Sequence, residues 1–97
     1  MALNDGYQRH TIQRGSERFG FDLDIRGYKA LSAAIAFHEL TEAPECVRLC
    51  PVGNGREKWA VWHKGEWMPL VFDTEQARIV TLLPANVLRH FRHKLPW

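Results

Sequence analysis

The sequence predicts an α+β domain in which two N-terminal helices pack on a four-stranded antiparallel sheet, arranged as a meander, and a short C-terminal helix follows. Helical spacing of apolar residues dominates residues 1–40, whereas short alternating runs bounded by turn residues fill the rest of the chain. The length of 97 residues suits one domain with its own core, so we expect a single domain over residues 1–97.

The first helix is predicted over Gln8–Phe19, with Asn4 or Asp5 as its N-cap and Gly20 at its end. Its apolar stripe is thin, because polar side chains occupy most of its circumference. The helix is nevertheless expected to pack on the sheet, and an anion-binding site between the helix and the sheet would explain why so many of its residues are polar.

The second helix is predicted to run through His38, with Asp22 or Asp24 as its N-cap. Pro44 closes the connection that follows it. The apolar face of this helix repeats with the helical period, and consists of Tyr28, Leu31, Ala34 and Ile35.

Short runs of alternating residues predict four strands, Cys46–Pro51, Glu57–His63, Trp67–Phe72 and Arg78–Leu83. Turn residues separate them at Gly53–Gly55, Lys64–Gly65 and Asp73–Gln76. Connections this short join antiparallel neighbours, which predicts the meander. Pro84 is then well placed to open a C-terminal helix over Ala85–His93.

The overall charge is nearly balanced, with 13 Lys and Arg against 11 Asp and Glu, for a net charge of +2. Such a balance does not by itself indicate a nucleic-acid binder, so the positions of the charges must decide. The longest nearly apolar run, Ala30–Phe37, is far shorter than the roughly 20 residues that cross a bilayer. We therefore expect a cytoplasmic protein with no membrane partner.

The two cysteines, Cys46 and Cys50, fall on the first predicted strand, where their Cα atoms would lie roughly 13 Å apart. That separation is too long for a disulfide, and no second pair of ligands completes a zinc site. We expect two reduced thiols and no metal. The chain also has no Gly-rich phosphate loop, paired carboxylates or Ser/His/Asp order, so we expect no cofactor and exclude most ordinary enzyme classes.

His10, Arg14 and Arg18 are spaced four residues apart in the first helix, which places them on one helical face. An imidazole that titrates near neutral pH, next to two permanent cations, suits binding or cleavage of a phosphate. The alternative is a solvated surface face in which Glu17 pairs with Arg14.

Strict alternation along the last strand places Ile79, Thr81 and Leu83 on one face. Thr81 is then a hydroxyl between two aliphatic residues, beneath the first helix, where it donates a hydrogen bond to a phosphate held by Arg14. The alternative is an ordinary β-branched strand residue.

Trp62 and Trp67 flank the second predicted turn, and one of them is expected to form an exposed platform for a base or a protein partner. The alternative is core or edge packing. The C-terminal segment carries the one clear basic cluster, which suits RNA or an acidic partner, or else a solvated helix end whose dipole favours cations. Its members are Arg89, His90, Arg92, His93 and Lys94.

Three motifs together, His10-x-x-x-Arg14, "RFGFDLD" and "RIVTLLP", resemble small phage-encoded and toxin-like proteins of the RelE/barnase-like ribonuclease superfamily. The resemblance spans about residues 8–84 of the sequence. It implies two helices on a four-stranded antiparallel sheet and an active face that carries His10, Arg14 and Thr81. The better-known toxins of this group are generally more basic than this chain.

Two hypotheses follow. In the first, the protein is an RNA-directed, metal-independent endoribonuclease with His10 as acid or base, Arg14 and Arg18 as phosphate clamps and Thr81 as hydrogen-bond donor. In the second, it is a non-catalytic phage-encoded inhibitor that binds a host protein or nucleoprotein complex, and a homodimer stays open in both. The expected substrate-binding residues are Arg18, Arg89, Arg92, Lys94, Trp62 and Trp67.

Overall fold

The computed structural model of the chain describes residues 5–19, 24–37, 46–63 and 65–95. Two α-helices precede a four-stranded sheet, and a 3-10 helix follows it, so the predicted α+β class is confirmed. The elements are α1 (Asp5–Phe19), α2 (Ile25–Ala36), β1 (Cys46–Gly53), β2 (Arg56–His63), β3 (Glu66–Asp73), β4 (Arg78–Leu82) and η1 (Ala85–Lys94).

The sheet is an antiparallel meander in the order β1-β2-β3-β4, as predicted. Tight turns make this arrangement possible. Asn54 lies between two glycines with a φ of 55°, and Gly65 has a φ of 86° in the β2–β3 hairpin. Both angles are left-handed, a conformation that glycine and asparagine adopt at the lowest cost.

Helix α1 begins at Asp5, earlier than predicted, and packs against β4. The face that it buries centres on Thr11 and Gly15, while Ile12 packs against the core from a half-buried position. Small residues let the helix backbone approach the sheet closely, which explains how a helix with so few apolar residues docks. The predicted N-cap Asn4 and the predicted end at Gly20 lie outside the described residues.

Helix α2 begins after Asp24, whose carboxylate accepts a hydrogen bond of 2.7 Å from the Gly27 amide. This confirms Asp24 as the N-cap; Asp22 and His38 lie outside the described residues. The helix ends at Ala36 and is bound to β4 by two polar contacts. Tyr28 donates its hydroxyl to the Ile79 carbonyl at 2.5 Å, and the Ser32 hydroxyl accepts from the Ile79 amide at 3.3 Å.

Both faces of the sheet are covered, so the molecule has two cores. We call the face under α1 and α2 the helix side and the opposite face the η1 side. Alternation along β2 separates the two cores, with Trp59 on the helix side and Ala60 on the η1 side. The helix-side core consists of Tyr28, Ile35, Trp59, Val61, Met68, Leu70, Phe72, Ile79 and Leu82. The η1-side core consists of Leu49, Ala60, Trp67, Leu88 and Leu95.

The predicted C-terminal helix is present at Ala85–Lys94 as a 3-10 helix. Phe91 interrupts it, with a φ of −128° and a ψ of 19°, so it consists of two short pieces. A 3-10 helix has poorer hydrogen-bond geometry than an α-helix and occurs in short pieces. Its packing against the sheet, through the buried side chains of Leu88 and Leu95, therefore supplies much of its stability.

A β-bulge changes which residues of β4 face the helices. Leu82 pairs with Leu70 and Ile79 pairs with Phe72, so one extra residue of β4 lies between these pairs. Ile79 and Leu82 both belong to the helix-side core, whereas Thr81 pairs with Val71 and faces the η1 side. The predicted common face of Ile79, Thr81 and Leu83 is therefore wrong.

Candidate nucleic-acid interface

Of the tryptophans that the structure describes, Trp62 is the exposed one, and it lies on the η1 side at the end of β2. Its side chain is 45% exposed, whereas its cross-strand partner Trp67 is 8% exposed and belongs to the η1-side core. The two rings meet edge to face, with centroids 5.5 Å apart and an interplanar angle of 68°. Of the two tryptophans expected to provide a platform, only Trp62 has the exposure for that role.

Helix η1 presents its basic residues outward because its apolar residues face the sheet. Leu88 and Leu95 are buried next to Trp67, and Phe91 packs against the same cluster. Two arginines, Arg89 and Arg92, remain exposed beside an open hollow of about 350 Å³. Two exposed histidines, His90 and His93, lie on the same helix.

Lys94, the third permanent cation of the C-terminal segment after Arg89 and Arg92, has a structural contact. Its ammonium donates a hydrogen bond of 2.6 Å to the Leu49 carbonyl, which fixes the end of η1 to β1. This contact gives Lys94 a structural role at the end of η1, and its role in ligand binding stays a prediction.

Trp62 and η1 lie on the same side of the sheet, and we call their exposed residues the basic face: Trp62, Arg89, His90, Arg92 and His93. Trp62 contacts Trp67, and Trp67 packs in the same core as Leu88 of η1. The helix sequence ANVLRHFRHK has no acidic residue. An exposed aromatic ring and two exposed arginines thus lie on the same side of the sheet.

The one acidic residue that the strands bring toward the η1 side is Asp73, among the described residues. It is 5% exposed, and its carboxylate accepts hydrogen bonds from the amides of Glu75 and Gln76, at 2.9 and 3.0 Å. Its hydrogen bonds hold it in the turn, and it lies six residues along β3 from Trp67, a distance of about 20 Å along the strand.

The predicted catalytic residues of α1 lie together but belong to a partly exposed surface. His10 and Arg14 are separated by one helical turn, and both are partly exposed. Arg14 forms a salt bridge of 2.6 Å with Glu17, as the surface alternative predicts. Among the described residues, none forms a hydrogen bond or ion pair with the imidazole of His10. The side chain of Arg18 lies outside the described part of the chain.

Thr81 does not join them. Its hydroxyl donates a hydrogen bond of 3.2 Å to the Leu82 carbonyl, and its pairing with Val71 directs it to the η1 side. The predicted convergence of Thr81 with His10 and Arg14 is therefore wrong, because the bulge in β4 reverses the alternation. The catalytic roles of His10 and Arg14 stay predictions.

A second concavity, which the sequence did not indicate, lies between α2 and the start of β4. Its volume is about 390 Å³, and Lys29, Phe37 and Arg78 contribute to its lining. The Arg78 guanidinium lies 5.7 Å from the centre of the Tyr28 ring. Burial raises the pKa of the Tyr28 hydroxyl above its ordinary value of 10.0, and Arg78 opposes that rise. The sequence predicted Tyr28 only as part of the apolar face of the second helix, which its 1% exposure confirms, and no pattern indicated a groove beside it.

Comparisons with known protein families, with curated proteins and with solved structures find no match. The resemblance to RelE/barnase-like ribonucleases therefore stays a prediction. No three His, Cys, Asp or Glu side chains cluster as metal ligands in the described residues. The described helices include none that is both long and apolar enough to cross a bilayer. Cys46 and Cys50 both lie on β1 and are not joined by a disulfide.

Proposed function

We propose that this protein binds single-stranded RNA through the basic face. The observation that carries the proposal is the contact between Trp62 and Trp67, which joins an exposed ring to the basic helix on one side of the sheet. Binding of this kind requires cations for the phosphates and a flat ring for a base, and the basic face has both.

The two exposed arginines supply the electrostatic part. Arg89 and Arg92 both line the hollow on η1, where we expect a phosphate to bind. Arginine binds phosphate through two parallel hydrogen bonds, which adds direction to the attraction.

Trp62 supplies the part that distinguishes single strands from duplexes. Stacking of one base on an aromatic side chain contributes about 1–3 kcal/mol. In an A-form duplex the bases are already stacked on one another, and the deep groove does not admit a side chain. An exposed ring on a sheet face therefore favours an unpaired base.

The test is a titration of fluorescein-labelled oligouridine, followed by anisotropy over a series of salt concentrations. The Arg89→Gln/Arg92→Gln variant should bind more weakly, and its slope of log K against log salt should be shallower by about 1.4, from about 0.7 per lost cation. Trp62→Ala should weaken binding about fivefold or more through lost stacking.

The matched control is Arg9→Gln/Arg26→Gln, which removes two exposed arginines from α1 and α2. This variant has the same net charge as the double variant on η1. If both double variants lose the same affinity, net charge alone accounts for binding and the proposal fails. Absence of binding by the unmodified protein at low salt also rejects it.

RNA cleavage is the second candidate, supported by the position of His10 and Arg14 one turn apart on α1. In this reaction His10 would take the proton of the RNA 2′-hydroxyl, whose oxygen attacks the adjacent phosphate. The P–O5′ bond breaks, the 5′-oxygen leaves with a proton from water, and a 2′,3′-cyclic phosphate remains. Arg14 would stabilise the negative charge on the phosphate oxygens. Incubation with total RNA in EDTA, beside His10→Ala, tests it. Cleavage that His10→Ala abolishes would assign catalysis to α1; intact RNA would leave binding as the function.

A non-catalytic inhibitor that binds a host protein or nucleoprotein complex uses the same surface, since tryptophan and arginine dominate the energetics of protein interfaces. This alternative predicts that Trp62→Ala abolishes capture of one defined host protein, whereas the protein does not bind oligouridine.

A further inference from the structure

The concavity between α2 and the start of β4 has no role in the proposed RNA binding. We call it the α2 groove; it has a volume of about 390 Å³ and is bordered by α1 at Gln8. The residues used below are Tyr28, Lys29, Ser32, Phe37 and Arg78. It opens on the helix side, so a ligand bound there would not compete with one on the basic face.

One part of the groove is cationic. Lys29 is exposed on α2, and Arg78 reaches the groove from the first residue of β4. The described residues that line the groove include no Asp or Glu. An anionic group that enters the groove therefore meets two positive charges, those of Lys29 and Arg78.

The position of Arg78 is fixed by its surroundings. Its guanidinium lies 5.7 Å from the centre of the Tyr28 ring, within the range of a cation–π interaction. Tyr28 is 1% exposed and is anchored by its hydrogen bond to the Ile79 carbonyl. A cation held in place before binding loses less side-chain entropy when the ligand arrives.

The other part of the groove is apolar and open. Phe37 follows the last turn of α2 and is 53% exposed, although it lines a concave surface. The neighbouring wall is made of small residues, Ala33 and Ala36. A flat ring can therefore lie against the phenyl group without a clash with larger side chains.

We propose that the α2 groove binds a small molecule that carries a phosphate on a planar aromatic body, the chemistry of a nucleoside monophosphate. The phosphate contacts Lys29 and Arg78, and the planar body packs on Phe37. The groove volume lies near the lower end of the range of about 300–1,000 Å³ for ligand sites, which suits one nucleotide better than two.

The test is an NMR titration of the ¹⁵N-labelled protein with AMP, with inorganic phosphate and with adenosine in separate arms. AMP should produce saturable shifts in the amides of Lys29, Phe37 and Arg78. Each half-ligand should bind about tenfold more weakly than AMP or worse, because it lacks one of the two contacts.

Three variants locate the site. Arg78→Gln and Lys29→Gln should each weaken AMP binding about tenfold, as expected for loss of a charge-assisted contact. Phe37→Ala should reduce the affinity for AMP and leave that for inorganic phosphate unchanged. Arg26→Gln is the control, since it removes an exposed arginine of the same helix that does not line the groove.

Lys29 and Phe37 are surface residues, so their variants report on binding even if Arg78→Gln disturbs the fold. The proposal is wrong if AMP causes no saturable shift in the groove, or if its shifts lie only on η1. It is equally wrong if Arg26→Gln weakens binding as much as Lys29→Gln, or if inorganic phosphate binds as tightly as AMP.

Discussion

The two sides of the sheet differ in what covers them and in how their charges are arranged. Two α-helices cover the helix side, over a core to which the described part of the chain contributes nine buried residues. A 3-10 helix of 10 residues covers the η1 side, where the described residues include five in the core. On the helix side the described ion pairs are Arg14–Glu17 and Arg48–Glu57, whereas η1 carries basic residues and no acidic ones.

This difference suggests that the helix side mainly stabilises the fold, whereas the η1 side presents the residues available for binding. The larger core supplies most of the apolar burial, and that burial is the dominant favourable contribution to folding. The η1 side is covered by one short 3-10 helix, which leaves Trp62, Arg89 and Arg92 exposed to solvent on that side. The following predictions test whether the two sides divide these tasks.

The largest expected difference is between two identical truncations, one on each side. Leu70→Ala, in the helix-side core at 0% exposure, should lower the free energy of unfolding by about 4 kcal/mol. Leu88→Ala, at 8% exposure in η1, should lower it by about 2 kcal/mol, because its surroundings can collapse or open to water. Urea unfolding measures both, and equal losses would contradict the comparison.

Tyr28→Phe removes the hydroxyl that joins α2 to the Ile79 carbonyl, and should lower the free energy of unfolding by about 1–2 kcal/mol. The folded protein holds the Tyr28 proton to higher pH than the unfolded chain, because burial raises the pKa of this hydroxyl. Wild-type stability should therefore decrease as pH rises above 10.0, the unfolded value. Urea unfolding at a series of pH values from about 8 to about 11, below and above that pKa, checks it. An equal decrease of stability with pH in Tyr28→Phe would exclude this tyrosine as the cause.

Thr11→Val should increase the free energy of unfolding by about 1 kcal/mol. The Thr11 side chain is 0% exposed, and its hydroxyl has no hydrogen-bond partner among the described residues. Valine has nearly the same shape without the polar atom. Thr11→Ser is the matched control, since it keeps the hydroxyl and loses a methyl group, and it should destabilise by about 1 kcal/mol. A loss of stability in Thr11→Val would mean that the hydroxyl is satisfied.

The smallest effect is expected at the contact that fixes η1. Lys94→Met keeps most of the side-chain length but removes the ammonium that donates to the Leu49 carbonyl. We expect hydrogen exchange of the η1 amides to rise about twofold while exchange in β2 and β3 is unchanged, since this contact governs local opening. A uniform rise across the sheet would show that η1 and the strands open as one unit.

Local sequence signals were sufficient for the order and type of the elements. Asp24 before a helical pattern predicted the N-cap of α2, and the predicted strands lie within two residues of the observed ones. The hydrogen bonds that fix these elements join near neighbours, so the residues that decide them stand close together in the sequence.

The candidate sites depended on contacts between distant residues. Alternation placed Thr81 beneath α1, but the bulge opposite Val71 turned it to the η1 side. Exposure of Trp62 rather than Trp67 depended on where η1 packs. The groove around Arg78 required α2 and β4 to meet.

The amino-acid sequence alone determined two helices, a four-stranded meander and a basic C-terminal segment, because periodicity and turn chemistry act over a few residues. Only the tertiary structure decided that η1 covers the second face of the sheet and that Thr81 points away from His10. Both outcomes depend on strand register and on which apolar residues the helices and η1 bury against the sheet. Those contacts join residues that are far apart in the chain.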